Sequence, residues 1–168
     1  MTRAGVGVGA ALRRRAVGVE QVGRARAGAG DVDRAGGRRD RVVEAGEGEV
    51  TVLTVGPDAA AEAVKKALQM GAHKGVHIND EAIHGSDAPA TSLILAEAVK
   101  KIGSPDIVMT GMASTDGTMS VIPPMLAERL GLPQVTFASE LTLDGGSVTI
   151  RRDGDTASET IEASLPAL

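Results

Sequence analysis

The stretch that decides the fold is residues 49–55, with the sequence EVTVLTV, followed directly by Gly56 and Pro57. Its apolar residues are mostly β-branched, which predicts a buried β-strand. Glycine followed by proline predicts that the strand ends in a turn. The kind of sheet that this strand joins follows from the patterns further along the chain.

Helical and extended patterns alternate after this turn. Helices are predicted behind caps at Asp58 and at Ser86 or Asp87, and a third helix is predicted to end near Gly131. Short apolar runs between them predict three more strands, at residues 75–78 (GVHI), 106–110 (DIVMT) and 134–137 (QVTF). Strands that alternate with helices form parallel sheets whose two faces are covered.

The tail has a different pattern. Residues 141–143, 148–151 and 156–163 are short runs separated by Gly-Asp and Asp-Gly-Gly turn signals, which predicts an antiparallel meander. The predicted fold class is therefore α/β, an open parallel sheet with a C-terminal antiparallel extension.

The composition excludes several classes of function. The 168 residues contain no cysteine, so the chain has no disulfide, no thiol nucleophile and no cysteine-built metal site. Phe137 is the only aromatic residue and the net charge is −4, so we expect no nucleic-acid surface. No apolar run approaches the roughly 18 residues of a membrane-spanning helix, so we expect no membrane insertion.

Residues 1–41 differ from the rest of the chain. Ten arginines against four acidic residues give them a charge of +6, whereas residues 42–168 carry 8 basic and 18 acidic residues, or −10. Three interpretations stay open: a basic arm, a targeting peptide, and an unstructured extension such as a gene read in the wrong frame would give. The Gly, Ala, Arg and Val content favours the last. We therefore expect residues 1–43 to be a disordered or mistranslated leader and residues 44–168 to form a partial domain.

Ligands of open parallel sheets bind beyond the carboxyl ends of the strands. Val55 and Gly56 end the first predicted strand, and a glycine there lets a flat ligand approach the backbone. Residues 111–122 (GMASTDGTMSVI) join a strand to a helix, and their hydroxyl groups and helix-start amides could hold a phosphate. By pattern alone, an ordinary connection with good capping residues remains the alternative.

No side-chain pattern predicts a catalytic centre or a metal site. His73 and His77 are separated by Gly75 in a turn that leads into a strand, so we expect them, with His84, at the surface and not as metal ligands. No carboxylate pair or serine motif indicates hydrolysis.

Four segments in the same order resemble the β subunit of electron transfer flavoprotein, of the actinobacterial type. They are residues 50–57 (VTVLTVGP), residues 67–72 (ALQMGA) with 75–78 (GVHI), residues 110–118 (TGMASTDGT) running on to 126–137 (LAERLGLPQVTF), and residues 153–168 (DGDTASETIEASLPAL). The resemblance extends over about residues 44–168.

This resemblance implies a Rossmann-like fold of the adenine nucleotide alpha hydrolase type. It also implies a heterodimer with an α subunit that carries most of the FAD site, through which electrons pass from dehydrogenases to the respiratory chain. The β subunit would be a cytoplasmic electron carrier without substrate chemistry of its own, and would bind AMP or, in electron-bifurcating relatives, a second FAD.

The site residues implied by position are Val55 and Gly56 beside the adenine, and a ribose and phosphate loop of Asp116, Gly117, Thr118, Met119, Ser120, Val121 and Ile122. Since Met119, Val121 and Ile122 stand where many relatives have polar residues, their contacts would be main-chain. The side chains expected to contribute are those of Thr118 and Ser120.

Two departures from the family pattern concern the ends of the chain. Residues 1–43 show neither the family's first strand nor its Lys-Gln-Val-Pro-like segment, and the sequence stops at Leu168, before the family's C-terminal region. We therefore expect a partial domain that lacks a central strand and is marginally stable alone. Two other interpretations stay open: a freestanding adenine-nucleotide sensor of the universal-stress-protein type, and a non-functional fragment.

Overall fold

The computed structural model describes residues 14–21, 48–112 and 119–168. Within these ranges the strands are β1 (Arg14–Gln21), β2 (Gly48–Val55), β3 (Lys74–Ile78), β4 (Ile107–Thr110), β5 (Glu140–Asp144), β6 (Ser147–Asp153) and β7 (Ser158–Ser164). The helices are α1 (Ala61–Gln69), α2 (Ala88–Ile102) and α3 (Ile122–Leu130), and 3-10 turns lie at Asp58–Ala60 and Glu81–Ile83.

The predicted α/β class is confirmed. Four strands form a parallel sheet in the order β3-β2-β1-β4, and three form an antiparallel sheet in the order β5-β6-β7. In β2, Val50, Val52 and Leu53 are at most 4% exposed. A strand that is buried on both faces has apolar residues at successive positions, which explains why residues 49–55 were recognisable.

β1 is the central strand of the parallel sheet, and its presence corrects a prediction. It pairs with β2 from Arg14 to Gln21 and with β4 from Ala16 to Val19. The expectation that residues 1–43 lie wholly outside the fold, and that the domain lacks a central strand, therefore does not hold for residues 14–21. Main-chain hydrogen bonds to strands on both sides order this segment despite its composition. The origin of residues 1–43 and the domain boundary at residue 44 remain predictions.

Each face of the parallel sheet packs against its own core. On one face, α2 and α3 bring Leu95, Val99 and Leu126 against apolar side chains of β1, β2 and β4. On the other face, Ala67 of α1 and the β6 residues Val148 and Ile150 join the second core. The antiparallel sheet thus covers part of one face, where a helix would otherwise lie.

The helix caps are partly as predicted. The Asp87 side chain accepts a hydrogen bond from the Ala90 N–H at 2.9 Å, so Asp87 caps α2. The prediction for Asp58 is wrong, because α1 begins only at Ala61 and the Asp58 carboxylate accepts from Asn79 Nδ2 at 2.6 Å. Asp58 is the first residue of the 3-10 turn that precedes α1, so it does not occupy the N-cap position of the helix.

The predicted strand at residues 134–137 is not formed. Val135 N donates to Leu168 O at 2.7 Å, and Leu168 N donates to Pro133 O at 2.9 Å. On its other side, Ala167 forms a parallel bridge with Ile107 of β4. Residues 167–168 therefore lie between β4 and residues 133–135. Among the described main-chain hydrogen bonds, those between this segment and residues 167–168 involve only Pro133 and Val135, which is too few to form a strand.

The antiparallel meander is confirmed, and side chains tie its strands together. Arg152 donates from Nε to Thr136 O and from Nη2 to Thr136 Oγ1, both at 2.9 Å, which fastens β6 to the segment after α3. The Ser158 hydroxyl donates to Asp153 Oδ1 at 2.6 Å and is the main cause that lowers the pKa of this carboxyl group.

Among the described residues, no helix is long and apolar enough to cross a membrane.

Candidate functional site

The carboxyl ends of β1, β2 and β3 are level with one another. Gln21 pairs with Val55, and Val55 pairs with Ile78. The chain steps from β1 to β2 to β3 in one direction and then returns to β4 on the opposite side of β1. This reversal is a topological switch point, beyond which ligands of open sheets bind. The sheet therefore places the candidate site over the end of β1, between the connections that follow β2 and β4.

The connection after β2 is held by its neighbours. We call Val55–Ala60 (residues 55–60) the first connection. Gly56 N donates to Ile78 O at 3.1 Å, and the Gly56 carbonyl oxygen lies 2.9 Å from Nε2 of His77. The bond between Asn79 and Asp58 adds a third link to the end of β3. Both Val55 and Gly56 are half-buried, so this part of the predicted site is a preformed surface without a side chain at Gly56.

A buried hydroxyl group lies just before this connection. Thr54 is 0% exposed, and its Oγ1 has no hydrogen-bond partner among the described residues. A hydroxyl group that is removed from water without a partner costs about 1–3 kcal/mol. Thr54 is therefore a locally unfavourable residue in an otherwise well-bonded region.

The connection into α3 is described from Met119 to Ile122, and we call these four residues the second connection. Ser120 has a φ of 56°, in the left-handed region, and no side chain caps the helix at Val121. Met119 and Ser120 are exposed, whereas Val121 and Ile122 are half-buried. A serine in the left-handed region costs about 1–2 kcal/mol, so this turn is held in a strained conformation.

The start of α3 has few amide donors. A helix normally leaves its first N–H groups unpaired, but Pro123 and Pro124 have no N–H to offer. The first bond within α3 runs from Met125 N to Val121 O at 3.1 Å. A phosphate at this position would therefore depend on the amides of Ser120, Val121 and Ile122, and on the Ser120 hydroxyl.

The structure places six of the nine predicted site residues. Val55 and Gly56 lie on one side of β1, and the four residues of the second connection follow β4 on the other side. Two strand spacings separate β2 from β4, or about 10 Å, which is the size of a nucleoside. Asp116, Gly117 and Thr118 lie outside the described residues, and their roles stay predictions.

Three side chains at this edge were not singled out by the sequence as site residues. His77, expected only at the surface, bonds the Gly56 carbonyl, and Asn79 bonds Asp58. Met112, two residues after β4, is 67% exposed. Only the strand register shows that His77 and Asn79 reach the first connection. No group of three or more potential metal ligands occurs among the described residues.

Comparisons with known proteins give a consistent result. Residues 40–168 match the family described as the electron transfer flavoprotein domain. The chain is 47% identical over 122 residues to the electron transfer flavoprotein subunit beta of Mycobacterium tuberculosis, covering 73% of this chain and 46% of that protein. For the corresponding subunit of Mycobacterium leprae the identity is 45% over 131 residues, covering 78% and 49%.

A third relative is the protein FixA of Rhizobium meliloti, 41% identical over 128 residues and covering 72% of this chain and 44% of FixA. The chain spans about half the length of the curated relatives it matches.

Proposed function

The chain belongs to the electron transfer flavoprotein family, on the side of its beta subunits, and from this premise we propose that it acts as an electron-transfer subunit. It pairs with an α subunit that carries most of the FAD site and passes electrons from dehydrogenases towards the respiratory chain. The chain itself is a cytoplasmic carrier and not an enzyme. The match over residues 40–168 carries this proposal, because it includes both connections of the candidate site.

In this proposal the carboxyl edge of the parallel sheet binds AMP, or a second FAD, as a structural ligand. The adenine ring lies against Val55 and Gly56, where the hydrogen bonds to Ile78 and His77 hold the backbone in place. The phosphate is held by the amides and the hydroxyl group of the second connection. Backbone amides at the start of a helix are suited to an anionic group such as a phosphate.

The remaining predicted contacts come from the segment between Met112 and Met119. Thr118 donates its hydroxyl group to the phosphate, Asp116 accepts from a ribose hydroxyl, and Gly117 lets the backbone approach the ligand. FAD, when bound in the complex, accepts and donates electrons. The residues of this chain only position the neighbouring subunit and the structural nucleotide.

Co-expression with the α subunit encoded in the same organism tests the proposal. We expect a yellow 1:1 complex that releases one AMP, or a second FAD, per heterodimer when it is denatured. A colourless homodimer that binds adenine nucleotide would contradict the electron-transfer role and favour a freestanding sensor. Persistent aggregation in the presence of the α subunit would favour a non-functional fragment.

A pair of variants separates nucleotide binding from subunit pairing. Gly56→Val places a side chain where the adenine is expected, and Gly56 is not among the described glycines with a positive φ, so its backbone accepts valine. We expect the complex to form yellow but without AMP. Gly146→Val is the matched control, because Gly146 lies in the turn between β5 and β6, outside both connections, and a Cβ there meets nothing within 4 Å among the described residues. If Gly56→Val retains AMP, the adenine position is wrong.

A further inference from the structure

The described methionines differ sharply in exposure. Met112 is 67% exposed and Met119 is 66% exposed, whereas Met70, Met109 and Met125 are partly buried. The two exposed residues are the ones that lie at the candidate site, Met112 just after β4 and Met119 in the second connection. Large apolar side chains usually avoid such exposure.

We propose that Met112 and Met119 form a site of reversible oxidation by hydrogen peroxide, and that oxidation of Met119 weakens nucleotide binding at the second connection. The chain has no cysteine, so its thioether groups are its readily oxidised side chains. Exposure then selects among the methionines. The effect on binding rests on the proposed function, whereas the order of oxidation does not.

The reaction is balanced with hydrogen peroxide as the oxidant. The sulfur lone pair attacks one peroxide oxygen, the O–O bond breaks and an S–O bond forms. The second oxygen leaves as hydroxide and takes the proton of the first, so the products are one sulfoxide and one water. A reduced flavin that meets dioxygen produces hydrogen peroxide, so the proposed complex would generate its own oxidant.

The effect on binding follows from the position of Met119. Its sulfoxide oxygen carries partial negative charge and accepts hydrogen bonds, and it is placed on the residue next to the Ser120 amide. It would compete with a phosphate for the few donors that remain beside Pro123 and Pro124. Both side chains are exposed, so we expect oxidation to leave the two cores and the fold intact.

The first experiment measures the order of oxidation in the full chain. After treatment with dilute hydrogen peroxide, peptide mass spectrometry with assignment to single residues follows each sulfoxide over time. We expect Met112 and Met119 to oxidise about tenfold faster than Met109 and Met125, because oxidation follows exposure. Equal rates at all five described methionines, or faster reaction at Met109, would overturn the proposal.

The second experiment measures AMP affinity by titration calorimetry before and after oxidation. We expect about fivefold weaker binding after oxidation, which corresponds to one weakened hydrogen bond, and recovery with methionine sulfoxide reductases. For Met119→Leu, the affinity for AMP should be the same before and after peroxide treatment, each variant being compared with its own untreated form, whereas the control Met125→Leu should remain sensitive to oxidation.

The outcomes of this second experiment distinguish the two proposals. Unchanged affinity of the oxidised wild type overturns the functional part of this inference. Failure of the untreated chain to bind AMP overturns the proposed nucleotide site instead. The order of oxidation is decided by the first experiment in either case, because it requires no bound nucleotide.

Discussion

The two connections at the carboxyl edge are built differently. The first connection is linked to β3 by three hydrogen bonds, through Ile78, His77 and Asn79. The second connection has no side-chain cap, a left-handed serine and a helix start with two prolines. Hydrogen bonds to the neighbouring strand fix the first connection, whereas among the described residues no hydrogen bond joins the second connection to a neighbouring strand.

This difference separates two tasks that the proposed nucleotide site must perform. A flat ring binds best to a surface that is already in place, because little entropy is then lost on binding. A phosphate can itself satisfy amide donors, so its binding segment does not need internal partners. We therefore expect loss of the hydrogen bonds that hold the first connection to lower the stability of the protein, and gain or loss of amide donors at the second connection to change phosphate binding.

The largest effect is expected where α1, which follows the first connection, packs on β3. A Cβ at Gly75 would lie 2.3 Å from Val64 Cγ1, so Gly75→Ala should lower the free energy of unfolding by about 2 kcal/mol. Chemical denaturation measures this. A Cβ at Gly111, at the start of the segment that leads to the second connection, meets nothing within 4 Å among the described residues, so Gly111→Ala should change stability by less than about 0.5 kcal/mol. Equal effects of the two substitutions would contradict the comparison.

A comparison of the two neighbouring strands β2 and β1 shows how much of the fold can be predicted from the sequence. β2 is recognisable because six β-branched or leucine side chains, at residues 50–55, follow one another in a strand that is buried on both faces. In β1 the side chains of Ala16, Val17 and Val19 are similarly buried, yet its sequence RRAVGVEQ contains only a short apolar run with Gly18 inside it. β1 is ordered by its pairing with β2 on one side and β4 on the other, which are distant in sequence. The composition of residues 14–21 does not indicate these partners.

The residues of the candidate site stay predictions. The family resemblance indicates Gly56 and Ser120, and the structure describes Gly56 directly after β2 and Ser120 two residues before α3. The hydrogen bonds of His77 and Asn79 depend on the register between β2 and β3, which no local pattern encodes. Pro123 and Pro124 are visible in the sequence. Only the helix start at Ile122 shows that they remove two amide donors from the first turn of α3.

A second prediction concerns His77. Replacing it with alanine removes the hydrogen bond to the Gly56 carbonyl, and we expect a loss of about 1–1.5 kcal/mol in the free energy of unfolding, together with weaker AMP binding. His84→Ala is the matched control, because His84 is exposed and makes its hydrogen bond through the backbone N–H. The role assigned to His77 would be wrong if both variants unfolded at the same denaturant concentration.

The unpaired hydroxyl group of Thr54 predicts a gain in stability. Thr54→Val keeps the shape of the side chain and removes a buried polar atom without a partner among the described residues, so we expect stabilisation by about 1 kcal/mol in chemical denaturation. Ser92→Ala provides the opposite case, because the equally buried Ser92 hydroxyl bonds Pro89 O and Arg129 Nε, both at 2.8 Å. Its loss should destabilise the protein. A destabilised Thr54→Val would indicate that this hydroxyl group has a partner outside the described residues.

The left-handed conformation of Ser120 predicts a smaller gain. Ser120→Gly removes the steric cost of a Cβ at a φ of 56°, partly offset by greater freedom in the unfolded chain, so we expect about 0.5 kcal/mol of stabilisation. Ser120→Val should lower stability by about 1 kcal/mol, since a β-branched side chain is least tolerated in this region. The melting temperature should accordingly rise for Ser120→Gly and fall for Ser120→Val. Identical melting curves would show that the second connection is not strained.

The smallest expected effect tests whether the second connection limits ligand binding. Pro124→Ala restores an N–H in the first turn of α3 without adding a side chain larger than the one removed. Since an exposed helix N-terminus stabilises a negative charge by about 0.3–1 kcal/mol, we expect AMP to bind about threefold more tightly in calorimetry. Adenosine, which lacks the phosphate, should bind the variant and the parent chain equally, and Pro133→Ala, placed after α3, serves as the control for loss of a proline. An equal gain for AMP and adenosine would place the effect in the adenine surface. It would then be the first connection, and not the second, that limits binding.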